Sequence, residues 1–404
     1  MRPHVLALLC LPILTLPTHA QWDLNDSHTT AGLRGVHNVG GGVAWASGTN
    51  GTVLRTEDGG YLWQICATPP GAEHLDFRGI QAFDENTAIV MSSGKGDLSR
   101  IYKTADGCKS WKLVFTNPDE EGFWDALSIN APNQDALGHP LDHSHAWGYV
   151  LGDPVGGIFT LFSTEDGGNT WSRRVATQRG PKGIGCKVDN FLAKSDEAVF
   201  AASNESLLTL MGSHLLFVTG GSVARVGYTD LFSLDGALCH QSTHFLDLPM
   251  NHGNSSSGAF ALAAAPGYEN HGNFPDKVLV VGGDYKLPNA ADGNAAAVSR
   301  VGTPLFQTVR KSQTPPHGYR SAVAYDPTTK TWITVGPNGT DISRDDGRNW
   351  IALKPSAQDP PDADKNWNAL SLPFVVGPHG RIGKLRVDAL KPRLRPNETL
   401  PAAP

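Results

Sequence analysis

The chain has no long segment with the 3.6-residue apolar period of an amphipathic helix, so neither a helical bundle nor an alternation of strands and helices fits it. Charge is sparse. Only 18% of the 404 residues are charged, the formal net charge is −6, and no basic run occurs. That excludes the electrostatic footprint of a nucleic-acid binder. Beyond the first twenty residues, no apolar stretch is long enough to cross a bilayer as a helix. The five cysteines form no Cys-x-x-Cys pair and show no metal-ligand spacing. His139, His143 and His145 fit no particular metal site, and Pro140 breaks any helix that could array them, so they read as a polar loop. Ser203, Ser255 and Ser256 have no nucleophile-elbow context. No metal, cofactor or serine-hydrolase chemistry is therefore expected.

What the chain does have is punctuation. Its 45 Gly and 28 Pro suit many short strands joined by turns. At the N-terminus, Arg2 and His4 precede an apolar run from Val5 to Leu16, and Thr18-His19-Ala20 is a small-x-small cleavage site. Residues 1–20 thus read as a secretory signal, too short in its apolar part to anchor in a membrane. The protein is expected to be exported, periplasmic or secreted. Four cysteines remain after cleavage, and they allow three connectivities. Their positions favour Cys66–Cys108 and Cys186–Cys239, against the alternative of four buried free thiols. Sequons occur at Asn25, Asn50, Asn204, Asn254, Asn338 and Asn397; those at Asn50 and Asn338 are better read as hairpin turns.

One short stretch recurs four times. It begins at Thr56, Thr104, Thr164 and Ser343, and it follows the pattern hydroxyl-x-Asp-x-Gly-x-x-Trp. Its aspartates are Asp58, Asp106, Asp166 and Asp345, and its tryptophans are Trp63, Trp111, Trp171 and Trp350. An Asp side chain can accept N–H bonds from the residues after it and so close a turn. The glycine allows positive φ, and the Trp opens the next strand with a large apolar face. These eight residues are therefore structural. Only the second copy departs, with Cys108 in the glycine place.

The aspartates set a period. Asp58 to Asp106 is 48 residues, Asp106 to Asp166 is 60, and Asp166 to Asp345 is 179, near three times 60. Two degenerate repeats should lie in the last gap. A second feature recurs: Leu33-Arg34-Gly35-Val36, Phe77-Arg78-Gly79-Ile80, Trp124-Asp125-Ala126-Leu127, Tyr319-Arg320-Ser321-Ala322 and Trp367-Asn368-Ala369-Leu370. Each precedes an apolar strand ending near Gly. The repeats span roughly 32–70, 75–118, 122–180, 188–250, 255–313, 317–360 and 365–388, with about four strands each. The fourth lacks the Asp turn but has strands at 198–202 and 215–218. The seventh lacks an outer strand, which the orphan Trp22 segment can supply. The expectation is all-β: one seven-bladed β-propeller over 21–388, closed by the N-terminal strand, with a disordered Pro-rich tail at 389–404.

The recurring turn resembles the Asp-box, or bacterial neuraminidase repeat, and the whole resembles a WD40/YVTN-like propeller. With Leu33-Arg34-Gly35-Val36, the run from Ala44 to Gly60 and the terminal Val376-Gly377-Pro378-His379-Gly380-Arg381-Ile382, nearly the whole mature chain resembles the photosystem II stability/assembly factor family. Insertions at 130–146 and 284–296 depart from that family's compact pattern. The resemblance implies a monomeric binding scaffold without enzyme chemistry, engaging a protein or peptide partner. Arg34, Arg78 and Arg320 take the same place in three repeats and are expected at one mouth of the channel, where three guanidiniums would attract carboxylates. The alternative is that each arginine ties its blade to the next. Asp284 and Tyr285, in the long loop after a strand, are possible further contacts. A competing reading is a sialidase-like glycoside hydrolase using Arg34, Arg78, Arg320, Asp284 and Tyr285. That reading lacks the Phe-Arg-Ile-Pro motif, since Phe77-Arg78-Gly79-Ile80 has no proline.

Overall fold

The computed structural model describes residues 21–131, 142–174, 187–188, 191–210, 215–234, 237–265, 275, 277–300, 306–357 and 359–391. Short strands follow one another, many of them, such as Ala88–Ser92 and Thr331–Gly336, buried along their whole length, and they pair, antiparallel except for Lys187–Val188, into seven sheets arranged as the blades of a propeller. Among the described residues, helix is confined to single 3-10 turns. Blade 1 contains Leu33–Gly40, Val43–Gly48, Val53–Thr56 and Gln64–Ile65. Blade 2 runs from Phe77–Ala82 outward to Lys112–Thr116, and blade 3 from Trp124–Asn130 to Ser172–Arg173. Blades 4 to 6 begin at Leu207–Thr209, Ser257–Ala264 and Ala322–Asp326. In blade 7, Ala369–Ser371, Phe374–Val376 and Ile382–Leu385 are joined by Trp22–Asn25, which pairs antiparallel with Ile382–Leu385. Trp22 is 1% exposed, packs 6.0 Å from Trp367 and donates its indole N–H to Thr340 Oγ1.

Apolar burial is divided into seven clusters, one between each pair of neighbouring blades. Trp45 and Phe77 share the cluster between blades 1 and 2, and Trp22 and Ile333 share that between blades 6 and 7. Each blade is thus stabilised on both faces by its neighbours.

The four Asp turns share one geometry. Thr56 Oγ1 donates to Asp58 Oδ1 at 2.9 Å and accepts the Gly60 N–H at 3.0 Å, while Asp58 Oδ1 accepts the Leu62 N–H. The same three bonds recur around Asp106, Asp166 and Asp345. The glycine place faces the preceding blade: a methyl group on Gly60 would sit 2.7 Å from Phe374, and one on Gly347 2.9 Å from Leu279. Cys108 accepts the same backbone, with φ of 61°, and its side chain forms a disulfide across to Cys66 of the preceding blade. The departure in the second copy is therefore a covalent bond between blades 1 and 2. The other expected pair, Cys186–Cys239, lies outside the described side chains, as the leader at 1–20 and residues 392–404 lie outside the described chain.

Two expectations change. Of 198–202, only Ala198 is in a strand: Glu197–Ala198 pairs with Gly220–Gly221 in the sheet of blade 5. The rest passes over the ring centre. Packing also runs slightly past residue 388, because Leu390 is buried and its carbonyl accepts from Arg344.

Candidate functional site

In blades 1, 6 and 7 a residue at the entry to the innermost strand donates its N–H to the carbonyl of a glycine in the preceding blade. Leu33 donates to Gly377, Arg320 to Gly282 and Trp367 to Gly336. This interlock fixes which residues are equivalent, and it places Arg320 with Leu33, not with Arg34. A slip of one residue turns a side chain to the other face. Arg320 accordingly fills a position that is apolar in blades 1, 2, 3 and 7, and it is 0% exposed. Its guanidinium makes an ion pair with Asp341 and donates to Asn338 Oδ1 and the Tyr319 carbonyl. Asp341 also meets His317 Nδ1 at 2.8 Å. Desolvation works against the charge of Asp341, but His317 and Arg320 outweigh it and hold the carboxyl below its usual range. Arg320 is a structural residue of blade 6, and the expected three-arginine mouth is corrected to two.

The position after that interlock is the one that faces the mouth. It holds Arg34, Arg78, Asp125, Phe260, Ser321 and Asn368 in blades 1, 2, 3, 5, 6 and 7, and all six line one cavity of about 510 Å³. Strand register slips between Leu33 and Gly35, Phe77 and Gly79, Trp124 and Ala126, and Ala259 and Ala261. The residue inside each slip is therefore a β-bulge, which re-aims its side chain into the mouth. Blade 4 contributes the 199–202 segment instead. Tyr285 and Tyr319 stand over Phe260, at ring distances of 6.2 and 4.8 Å. Asp284, the other loop candidate, faces away from ligand duty: it is buried and accepts from the Lys286 N–H and Asn254 Nδ2.

The electrostatics are mixed. Arg78 Nε bonds Asp76 at 2.8 Å and its Nη1 donates to the Ala201 carbonyl. Arg34 is freer. Its Nε has no hydrogen-bond partner and lies 4.0 Å from Asp76 Oδ1, which also has none. Burial, followed by the Arg78 charge, lowers the Arg34 guanidinium from its ordinary value. On blade 3, Asp125 is 2% exposed and its Oδ2 is unpartnered. Burial and the nearby Asp153 push its carboxyl well above the usual range, with Arg78 opposing. Burial pushes Asp153 up to about 6, against a bond from the Val199 N–H. The mouth thus has a cationic side and an acidic side. Sequence reasoning missed Asp125, although it stands at the same repeat position as Arg34 and Arg78; reading that position for every residue type would have found it.

Below the cavity, a turn from blade 4 crosses the ring centre. Asn204 donates to the Leu127 carbonyl and accepts the Leu127 N–H, Ser203 donates to the Ser321 carbonyl, and Glu205 accepts the Val323 N–H at 2.7 Å. These bonds satisfy inner-strand backbone groups of blades 3 and 6. The Asn204 sequon is therefore an internal brace, with its amide committed on both sides. Burial pushes Glu205 up to about 8, and N–H bonds from Val323 and Leu370 oppose the shift. His143 stacks on Phe83 and meets Asp84 at 2.9 Å, while His145 meets Asp142. Among the described residues, no group of three metal-ligating side chains occurs.

The fold and its mouth define a seven-bladed β-propeller with a side-chain-lined cavity over a closed centre. Among solved structures, the chain is similar to "YCF48 bound to D1 peptide" at a TM-score of 0.53 and 15% identity, covering 92% of this chain and 99% of that one. It is equally similar to "YCF48 from Cyanidioschyzon merolae", with TM-score 0.53, 15% identity and coverages of 91% and 99%. Both of these neighbours are YCF48, and at this identity the likeness establishes the fold alone. No protein-family model matches the chain, and no curated protein matches it in sequence.

Proposed function

We propose that the protein is an exported, non-enzymatic scaffold that holds a protein or peptide partner by a carboxylate at the Arg34 side of the mouth. The observation that carries this reading is convergence: equivalent positions of six blades line one cavity, and Arg34 there has an unsatisfied Nε. A buried unsatisfied donor costs about 1–3 kcal/mol, which an incoming acceptor recovers. A structural neighbour was solved with a D1 peptide, so a peptide is the first partner class to test. The Cys66–Cys108 disulfide suits an oxidising compartment, in line with the signal-like N-terminus.

The glycosidase alternative loses its third arginine, because Arg320 is committed to Asp341. Tyr285 remains in the mouth. The deciding experiment is selection from a displayed random octapeptide library by the wild type and by Arg34→Ala/Arg78→Ala, with melting temperatures compared. Peptides retained by the wild type and lost by the folded double variant support the reading. Equal retention by both refutes it. Turnover of a fluorogenic glycoside that Tyr285→Phe abolishes replaces it with the hydrolase.

A further inference from the structure

Resting on that reading, we infer that the peptide held at the mouth carries a basic side chain beside its carboxylate, and that this cation sits against Asp125 and Asp153 of blade 3. The site is built rather than incidental. Asp125 is placed by a bulge, as Arg34 and Arg78 are, so its direction is set by the backbone and not by a flexible surface rotamer. Its Oδ2 is buried without a partner and lines the same cavity as Arg34. Asp153 lines it too, fixed by the Val199 N–H.

Two carboxyls that line one cavity and are so desolvated share negative charge poorly, and each is pushed toward its protonated form. A lysine or arginine side chain supplies the missing charge and donors together. The aromatic wall of Phe260, Tyr285 and Tyr319 lines the same cavity and adds a surface on which an aliphatic stem or a cation can lie. A purely acidic peptide satisfies Arg34 but meets like charge at blade 3. A peptide of both signs matches both sides. Discrimination then comes from repulsion as well as attraction. The cavity volume of about 510 Å³ lies within the range of roughly 300–1,000 Å³ usual for ligand pockets, enough for a short peptide segment and not for a folded domain.

The test uses the library-derived octapeptides that depend on Arg34 and Arg78. Their sequences should be enriched in Lys or Arg at a fixed spacing from an acidic residue or the C-terminus; amidated copies tell those two carboxylate sources apart. Replacing the basic residue by norleucine should weaken binding to the wild type about tenfold, the size of a charge-assisted hydrogen bond. The same replacement should change binding to the folded Asp125→Asn variant less than about twofold, since the coupling in the cycle is then gone. Calorimetry in buffers of different ionisation enthalpy should show proton release by the wild type when the lysine peptide binds at pH 7, and less by Asp125→Asn. Arg-dependent peptides without basic enrichment, or a norleucine effect equal in both proteins, overturn this inference and leave the scaffold reading standing. A library with no Arg-dependent peptide overturns both.

Discussion

Glu205→Gln isolates the closed centre of the ring. Glu205 reaches across from blade 4 and accepts N–H bonds from Val323 and Leu370 of blades 6 and 7. Burial raises its carboxyl from 4.5 to about 8. The folded state therefore binds this proton more tightly than the unfolded chain. Stability from this group is fully present below pH 4.5, declines as pH rises, and is lost above 8. A full shift of that size corresponds to a ceiling of about 5 kcal/mol at 1.36 kcal/mol per unit. Glu205 is only partly shielded from channel solvent, so the expected loss is on the order of 1–3 kcal/mol. Gln keeps the acceptor for Val323 and cannot ionise. Urea unfolding of both proteins between pH 4 and 9.5 reads the difference, in which other titrations cancel. The Gln variant should match the wild type at pH 4 and exceed it progressively from pH 5 to 9. A difference that stays constant over that interval refutes the placement of a strained carboxyl at the centre.

Arg320→Met should cost about 3–5 kcal/mol by leaving Asp341 buried against His317 alone, and the double change Arg320→Leu, Asp341→Leu should regain part of it, as read by denaturant midpoints. Asp166→Ala should cost roughly 1–2 kcal/mol through lost turn bonds, with peptide selection at the mouth unchanged in the folded protein. Trp22→Ala should cost about 3–5 kcal/mol, and deletion of 21–30 should lower the melting temperature by several degrees. An unchanged thermal midpoint for either would place the N-terminal segment outside the ring.

The blade count was legible because the Asp turn is local chemistry: a hydroxyl, an Asp and a positive-φ place repeat their bonds wherever they occur. Blade 4 has no such turn, and there the reading put a strand across 198–202 where the chain crosses to line the mouth. The slip in blade 6 has a different cause. Tyr319 and Ser321 fit an aromatic-polar-small template as well as the true frame does, and only the Arg320 N–H to the Gly282 carbonyl separates the two. An arginine in an apolar place is invisible without its partner, and Asp341 lies 21 residues away. Asp125 was in plain view in the repeat, but a search for cations passed over it. Glu205 stood inside a sequon, and no periodic signal marks a turn that fills a channel.

The strand that closes blade 7 is the first of the ring to be synthesised, and its partner is the last. Leu385 follows Trp22 by 363 residues, so at roughly 5–20 residues per second the ribosome needs about 20–70 s to deliver the partner of that strand. Throughout that time Trp22 has no indole-sized pocket to enter, because Trp367 and Thr340 emerge late as well. Six blades can stack in order of appearance while the head of the chain waits. The pairing that closes the ring therefore joins its oldest and newest residues, and a chain cut short before Ile382 would lack the partner of the N-terminal strand.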